Sequence, residues 1–194
     1  AVKTVGIDET SIARGHQYIS LFVDLHKQKT IFVADGKSSQ TIADFAIDLK
    51  DRQATPEQIC EVSCDMSPAF IKGVKEQLIN AKITFDKFHI LKIINEGADS
   101  VRRAEAIDNP LLKKTRYIWL KNDANLTTKE RAKKVELSMP KLNLKSSRAM
   151  HIRENFQAIY FAKNIDEFKQ LLQKWYLWAT RSKLKPIIKA AKTI

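Results

Sequence analysis

Val62-Ser63-Cys64-Asp65-Met66-Ser67-Pro68, residues 62–68, carries an alternating apolar run straight into a helix start. Gln58 to Cys64 reads as a strand. Ser67 and Pro68 read as the N-cap and first position of a helix, where proline's fixed φ and missing N–H cost nothing. Phe70, Ile71, Val74 and Leu78 follow at helical spacing and supply that helix with a buried stripe. Upstream, Val2 to Glu9, Gln17 to Leu25 and Thr30 to Ala34 read as three strands. A polar turn around Ala13-Arg14-Gly15 separates the first two, and His26-Lys27-Gln28-Lys29 forms a hairpin between the last two. Ile42, Phe45, Ala46 and Leu49 recur at helical spacing and predict a helix over 39–51. Downstream, Lys82 to Phe85 is a short fifth strand, and the next helix carries Leu91, Ile94, Ala98 and Val101 on one face.

The resulting order, βββαβαβα, is that of an α/β ribonuclease H-like mixed sheet, in which three antiparallel strands are extended by strands alternating with helices. From about Glu105 strand alternation stops and helical patterns take over. Thr127-x-x-Glu130 and Asn164-x-x-Glu167 look like capping signals. Met150, Phe156, Ile159 and Tyr160 form one apolar stripe, and Phe168, Leu171, Leu172, Trp175 and Trp178 another. The expected organisation is therefore a core over 1–104 and an all-helical subdomain over 105–194.

Charge divides along the same line. Residues 1–100 hold 12 Lys/Arg against 14 Asp/Glu, whereas residues 101–194 hold 22 against 8, so the net charge of +12 resides in the second half. Such asymmetry points to a polyanion surface, since Lys and Arg that neutralise phosphates release counterions. The plainer alternative is a solvated, lysine-rich helical surface. No apolar run approaches the roughly 20 residues of a membrane span, and the cytoplasm is the default compartment. Cys60 and Cys64 are the two cysteines of the chain. At strand spacing, 60, 62 and 64 share a face, so both are expected to be small buried side chains, not a disulfide or zinc site.

Asp8, in Val5-Gly6-Ile7-Asp8-Glu9, and Asp65 both end apolar strand runs, and neighbouring strand ends can bring distant carboxylates together around a divalent metal. Gly6 shares a face with Asp8 and leaves room beside the carboxylate. Ser67 is better placed than Asp65 to cap the next helix, which leaves Asp65 without an evident structural role. Asp86 and His89, in Asp86-Lys87-Phe88-His89, sit at another strand-to-helix junction. Local physics favours Asp86 as an N-cap and His89 as a first-turn residue, although the pair also fits an active site. Glu9 points to the face opposite Asp8.

Gly6-Ile7-Asp8-Glu9-Thr10, Tyr18-Ile19, Val23-Asp24-Leu25, Cys64-Asp65-Met66-Ser67-Pro68 and Phe85-Asp86-Lys87-Phe88-His89 together resemble the DDE transposases of the ISL-three group of bacterial insertion sequences. Val101-Arg102-Arg103, Trp175-Tyr176-Leu177-Trp178-Ala179 and Ser182-Lys183-Leu184-Lys185-Pro186 extend the likeness over essentially the whole chain. The resemblance implies that Asp8 and Asp65 are the first two catalytic, metal-binding acids for Mg2+ (or Mn2+), and that Asp86 and His89 form an accessory Asp-x-x-His signature. It also implies that the helical stretch is an insertion and that the last acid is a glutamate in an Asn-Gly-x-x-Glu-Gly-x-Asn type segment. That segment has no match here. Glu154 and Glu167 lie inside helical patterns, so the chain reads as a fragment that is inactive alone.

The implied function is metal-dependent DNA cleavage at transposon ends followed by strand transfer, with transposon-end and target DNA as partners and a homo-oligomer to synapse two ends. Lys113, Lys114 and Arg116, Lys129, Arg131, Lys133 and Lys134, and Arg181, Lys183 and Lys185 are the candidate phosphate contacts. Trp119, Trp175 and Trp178 offer base stacking, but helical spacing favours packing for the last two. The alternatives are another ribonuclease H-like nuclease, such as a junction resolvase, or a non-catalytic, domesticated DNA-binding remnant.

Overall fold

A computed structural model describes residues 1–13 and 17–194. Two compact units, Ala1–Ile90 and Leu91–Ile194, make up the chain. The first contains strands β1 (Thr4–Ala13), β2 (Gln17–Asp24), β3 (Lys29–Asp35), β4 (Glu61–Cys64) and β5 (Lys82–Phe85). Helices α1 (Ser39–Asp51) and α2 (Pro68–Gln77) join β3 to β4 and β4 to β5. Helix α3 (Lys87–Asp108) follows, which completes the expected βββαβαβα order. The strands form one sheet in the order β3-β2-β1-β4-β5. β1 pairs antiparallel with β2, and β2 with β3, whereas β4 runs parallel to both β1 and β5. The turn expected around Ala13-Arg14-Gly15 falls on residues 14–16, outside the described residues.

Alternation explains which sheet face is buried. Val5 and Ile7 of β1, Phe22 of β2, and Val62 and Cys64 of β4 point into one core, where Ile42, Phe45 and Leu49 of α1 and Phe70, Val74 and Leu78 of α2 meet them. Phe22 and Phe45 stack with ring centroids 4.5 Å apart. Each such side chain gains roughly 1.5–3 kcal/mol by leaving water. The two helices approach closely because Gly73 lacks a side chain: a Cβ there would lie 2.6 Å from Cγ1 of Ile42. At the β2–β3 hairpin, the buried Asp24 accepts hydrogen bonds from the backbone N–H groups of His26 and Lys27, and Gln28 takes the left-handed conformation the turn needs.

The fourth strand is shorter than expected. Pro56–Gln58 forms a 3-10 turn, and β4 begins only at Glu61. Cys60 therefore lies ahead of the ladder and is exposed, whereas Cys64 is buried as expected; both are free thiols. Burial, with the neighbouring Asp65 charge adding to it, pushes the Cys64 thiol up to about 11, so it stays protonated and inert.

The second unit is helical: α4 (Arg116–Leu120), α5 (Thr128–Leu137), α6 (Lys145–Ile159), α7 (Ile165–Arg181) and α8 (Lys185–Thr193) follow the body of α3. Leu112, Trp119, Leu137, Leu144 and Met150 form its apolar cluster. The two capping signals are realised. Thr127 and Glu130 form a reciprocal capping box on α5, and Asn164 accepts from the Glu167 N–H at the start of α7. An unanticipated cap lies at α6, where the Glu105 carboxylate accepts from the backbone N–H groups of Lys145 and Ser146 and from the Ser146 hydroxyl. A carboxylate there satisfies orphan donors and complements the helix dipole. Trp175 of α7 packs on Phe156 of α6 and donates its indole N–H to the Ile152 carbonyl at 2.8 Å. Among the described residues no helix is long and apolar enough to cross a membrane.

Candidate active site

The strand register draws the candidate acids into a row. Gly6 of β1 pairs with Ser63 of β4, and two residues further along these parallel neighbours come Asp8 and Asp65. Cys64 of β4 pairs with Phe85 of β5, and the Asp86 N–H donates to the Cys64 carbonyl at 2.9 Å, so Asp86 follows in the same row. Adjacent strands lie about 4.8 Å apart. Val5, Ile7, Val62 and Cys64 are buried, so strict alternation puts Gly6, Asp8, Ser63 and Asp65 on the opposite face of the sheet. Asp8 is exposed, and Asp65, Asp86 and His89 are half-buried.

Each aspartate uses its Oδ1 to hold local backbone. Asp8 accepts from the Glu9 N–H at 2.8 Å, Asp65 from the Ser67 N–H at 2.9 Å and Asp86 from the Phe88 N–H at 2.9 Å. This corrects the expected roles of Ser67 and Asp65. The Ser67 side chain makes no capping bond; Asp65, two residues upstream, closes an Asx turn onto the Ser67 N–H instead. Toward the described residues, Oδ2 of Asp8 and Oδ2 of Asp65 make no hydrogen bond or ion pair. Oδ2 of Asp86 lies 3.0 Å from Nδ1 of His89. An ionised carboxylate only accepts, so Nδ1 carries the proton and Nε2 of a neutral ring is left as an acceptor. Asp86 thus caps α3 and orients His89 at once.

One further expectation changes. The space over Gly6 is not left open beside Asp8: a Cβ there would lie 2.8 Å from Cδ2 of Leu25, whose side chain fills it. Glu9 pairs with Lys37 at 3.4 Å, and that ammonium also sits 3.8 Å from the Tyr18 ring centroid. Among the described residues no group of three His, Cys, Asp or Glu could hold a metal ion. Glu154 is paired with Lys134, and Glu167 accepts from the Lys163 N–H at the start of α7.

The basic residues separate by what they touch. Lys113, Lys114, Lys129, Arg181, Lys183 and Lys185 are exposed and form no ion pair among the described residues. Arg116 reaches Asp99 at 3.5 Å, Arg131 donates to the Asp123 carbonyl and Lys133 pairs with Glu136. Lys134 leaves the phosphate-contact set. It is 8% exposed, and its ammonium lies 2.6 Å from both Asp123 and Glu154. Burial alone lowers the Lys134 pKa, but the hydrogen bonds and charges of those carboxylates outweigh it and hold the ammonium above its ordinary value. The hydrogen bond from Lys134 in turn holds the Asp123 carboxyl below its own.

Trp119 and Trp175 are 2% and 4% exposed, but Trp178 is 44% exposed and does not join the core. Trp178 lines a groove with Arg181 and Lys183, together with Arg148 and His151, two residues outside the clusters picked from sequence. The available signal was the spacing 148, 151, 155 along one helix face.

Row geometry and order define a mixed α/β protein in which Asp65 and Asp86 follow the ends of β4 and β5, while Asp8, expected at a strand end, lies within β1, whose pairing with β2 carries it on to Ala13. The chain belongs to the ISL3-type DDE transposase family, described as transposase, whose family model matches residues 5–194. The transposases for insertion sequence element IS1557 from two strains of Mycobacterium tuberculosis are each 27% identical over 221 residues, spanning 100% of this chain and 49% of the relative. The transposase for insertion sequence element IS1001 of Bordetella parapertussis is 25% identical over 189 residues, spanning 93% of this chain and 46% of the relative. This chain spans about half the length of the curated relatives it matches.

Proposed function

We propose that this chain supplies the first two metal-binding acids, Asp8 and Asp65, of a ribonuclease H-like transposase that cleaves transposon ends and transfers the strand to target DNA. The observation that carries the reading is the parallel β1–β4 register, which lines up two residues 57 positions apart in sequence. The strand order, with three antiparallel members and β4 and β5 parallel to β1, supports a ribonuclease H-like sheet. Residues 1–104 then act as the catalytic core and 105–194 as a basic helical insertion. Hard carboxylate oxygens whose Oδ2 atoms have no partner among the described residues fit a hard divalent cation such as Mg2+ or Mn2+. Bound there, the cation would supply nucleophile activation and charge stabilisation for an in-line displacement at phosphorus. Asp86 and His89 are accessory: the carboxylate holds the ring so that Nε2 is directed by α3 and not by free rotation.

DNA is the partner, consistent with action in the cytoplasm, and synapsis of two ends implies a homo-oligomer. The test is Mn2+ titration followed by NMR line broadening. Broadening is expected to centre on residues near 8, 65 and 86, and Asp65→Asn should weaken it about tenfold or more. Broadening spread evenly over surface acids, or unchanged in the variant, would remove the metal role. For DNA, the double charge reversal Lys113→Glu, Lys114→Glu is expected to weaken duplex binding and to lower the slope of log K against log salt by about 0.9 for each phosphate no longer neutralised. An unaltered slope would take this pair out of the footprint.

A further inference from the structure

Helices α6 and α7 pack through Phe156, Ile152 and Trp175, and beside that seam they leave a groove of about 610 Å3. Its size falls within the roughly 300–1,000 Å3 of ligand-sized clefts. Arg148, His151 and Asn155 are spaced i, i+3, i+7 along α6, Trp178 and Arg181 are spaced i, i+3 on α7, and Lys183 comes from the turn after α7. Among the described residues no carboxylate lines the groove.

Unpaired cations are gathered here. Arg102, Arg103 and Arg116 converge on Asp99, Lys121 on Glu130, and Lys134 on Asp123 and Glu154, whereas Lys113, Lys114, Lys129 and Lys185, without an ion pair among the described residues, do not line this groove. Arg148, Arg181 and Lys183 make no ion pair among the described residues, although they stand together. Lys183 also holds a left-handed backbone, φ 61°, which is uncommon for a residue with a Cβ. Like charges gathered without counterions repel, and a polyanion is the partner that relieves them.

The second observation is the half-exposed Trp178 indole in the same groove. In a duplex the base faces are occupied by their stacked neighbours, so an indole can engage only a base that has left the stack. Cations for the backbone beside an aromatic platform for bases is the chemistry of single-strand binding. We propose that this groove binds unpaired nucleotides of a DNA strand, with Trp178 stacking a base while Arg148, Arg181 and Lys183 contact its flanking phosphates and Asn155 and His151 offer polar contacts. The inference rests on the DNA-acting reading above and narrows it to a nucleic-acid state and a place.

Intrinsic fluorescence tests it directly, because Trp119 and Trp175 are buried and an added strand can quench only Trp178. The 194-residue chain is titrated with an oligothymidylate of about 12 nucleotides, within the roughly 4–16-nucleotide sites of single-strand grooves, and with a duplex of equal length. The strand is expected to quench and the duplex not. Trp178→Leu should weaken strand binding, followed by anisotropy of a labelled strand, about 5- to 150-fold, with Trp178→Phe recovering part of the loss. Arg148→Gln and Arg181→Gln should each lower the salt slope by about 0.7. Absence of quenching, or Trp178→Leu binding the strand as tightly as the wild type, overturns the groove. If duplex binding persists in that case, the transposase reading survives the loss; if neither DNA form binds, both fall.

Discussion

In a transposase that joins these residues to a third metal-binding acid, Asp65→Asn is expected to lower Mg2+-dependent cleavage of transposon-end DNA by about a thousandfold or more while leaving the fold in place. The substitution is well suited to separate charge from structure. Asparagine keeps an Oδ1 acceptor for the Ser67 N–H, so the Asx turn that starts α2 persists. It removes the negative charge that would hold a divalent cation beside Asp8. A thousandfold loss corresponds to about 4 kcal/mol of transition-state stabilisation, the scale of several kcal/mol that a metal's charge supplies in phosphoryl chemistry. Asp8→Asn should act alike, and the double variant should lose little more than either single one, because both remove the same cation. Cleavage assayed at saturating Mg2+, with thermal unfolding as the control, decides it. Residual cleavage within tenfold of wild type, in a protein whose Tm is unchanged, would mean that Asp65 is only the turn-former seen at the head of α2.

The turn that Asp65 closes onto the Ser67 N–H shows what a sequence reading can and cannot reach. The strand alternation of Val5 and Ile7, and of Val62 and Cys64, was legible because burial on one face imposes period two, and so were the bounds of α1 from Ile42, Phe45, Ala46 and Leu49. Register was not: nothing local in either strand states that Gly6 stands opposite Ser63, and that pairing is what aligns the acids. At Gln58–Cys60 the apolar Ile59 imitates a strand residue, but it is buried beneath a 3-10 turn that Pro56 begins, before the ladder starts. At Ser67 the residue type suits a cap, yet competition from a carboxylate two residues earlier is settled by backbone geometry. Lys134 sits in a run of cations and reads as solvated; two acids distant in sequence bury it. Trp178 has the spacing of a core stripe, but Trp175 occupies the seam and leaves it at the rim.

The buried charge around Lys134 leads to a large expected effect on stability, centred on Arg153. Its side chain is 1% exposed. The guanidinium donates to the Leu120 carbonyl at 2.7 Å, to the Lys121 carbonyl at 3.3 Å and to Oδ1 of Asn95 at 3.3 Å. Leu120 and Lys121 end the short helix α4, whose final carbonyls have no partner within the helix. Arg153 therefore serves as the C-terminal cap of α4 from a distance in sequence, with a planar fork that reaches two carbonyls at once. Burial lowers its pKa, with the nearby Glu154 and Asp123 charges opposing, yet an arginine remains protonated at neutral pH. Arg153→Met would strip those carbonyls of charged donors, at about 1.5–3 kcal/mol per charged hydrogen bond before relaxation. The expected loss is about 3 kcal/mol in urea unfolding of the chain, and Arg153→Lys should recover only part of it because an ammonium cannot span the same pair of carbonyls. The neighbouring ion pairs add a pH signature with a definite sign. Asp123 is held below its ordinary 3.8 by Lys134, so its contribution is complete above that value and is lost as pH falls through the lower folded one. Lys134 is held above 10.5, so its contribution is complete below that value and is lost as pH rises through the higher folded one. Stability should thus form a plateau between these limits, and Lys134→Met should remove the alkaline loss. Equal stability of Arg153→Met and wild type would mean that the Lys134 bridge alone fixes α5 to α6, and that the α4 carbonyls find other donors.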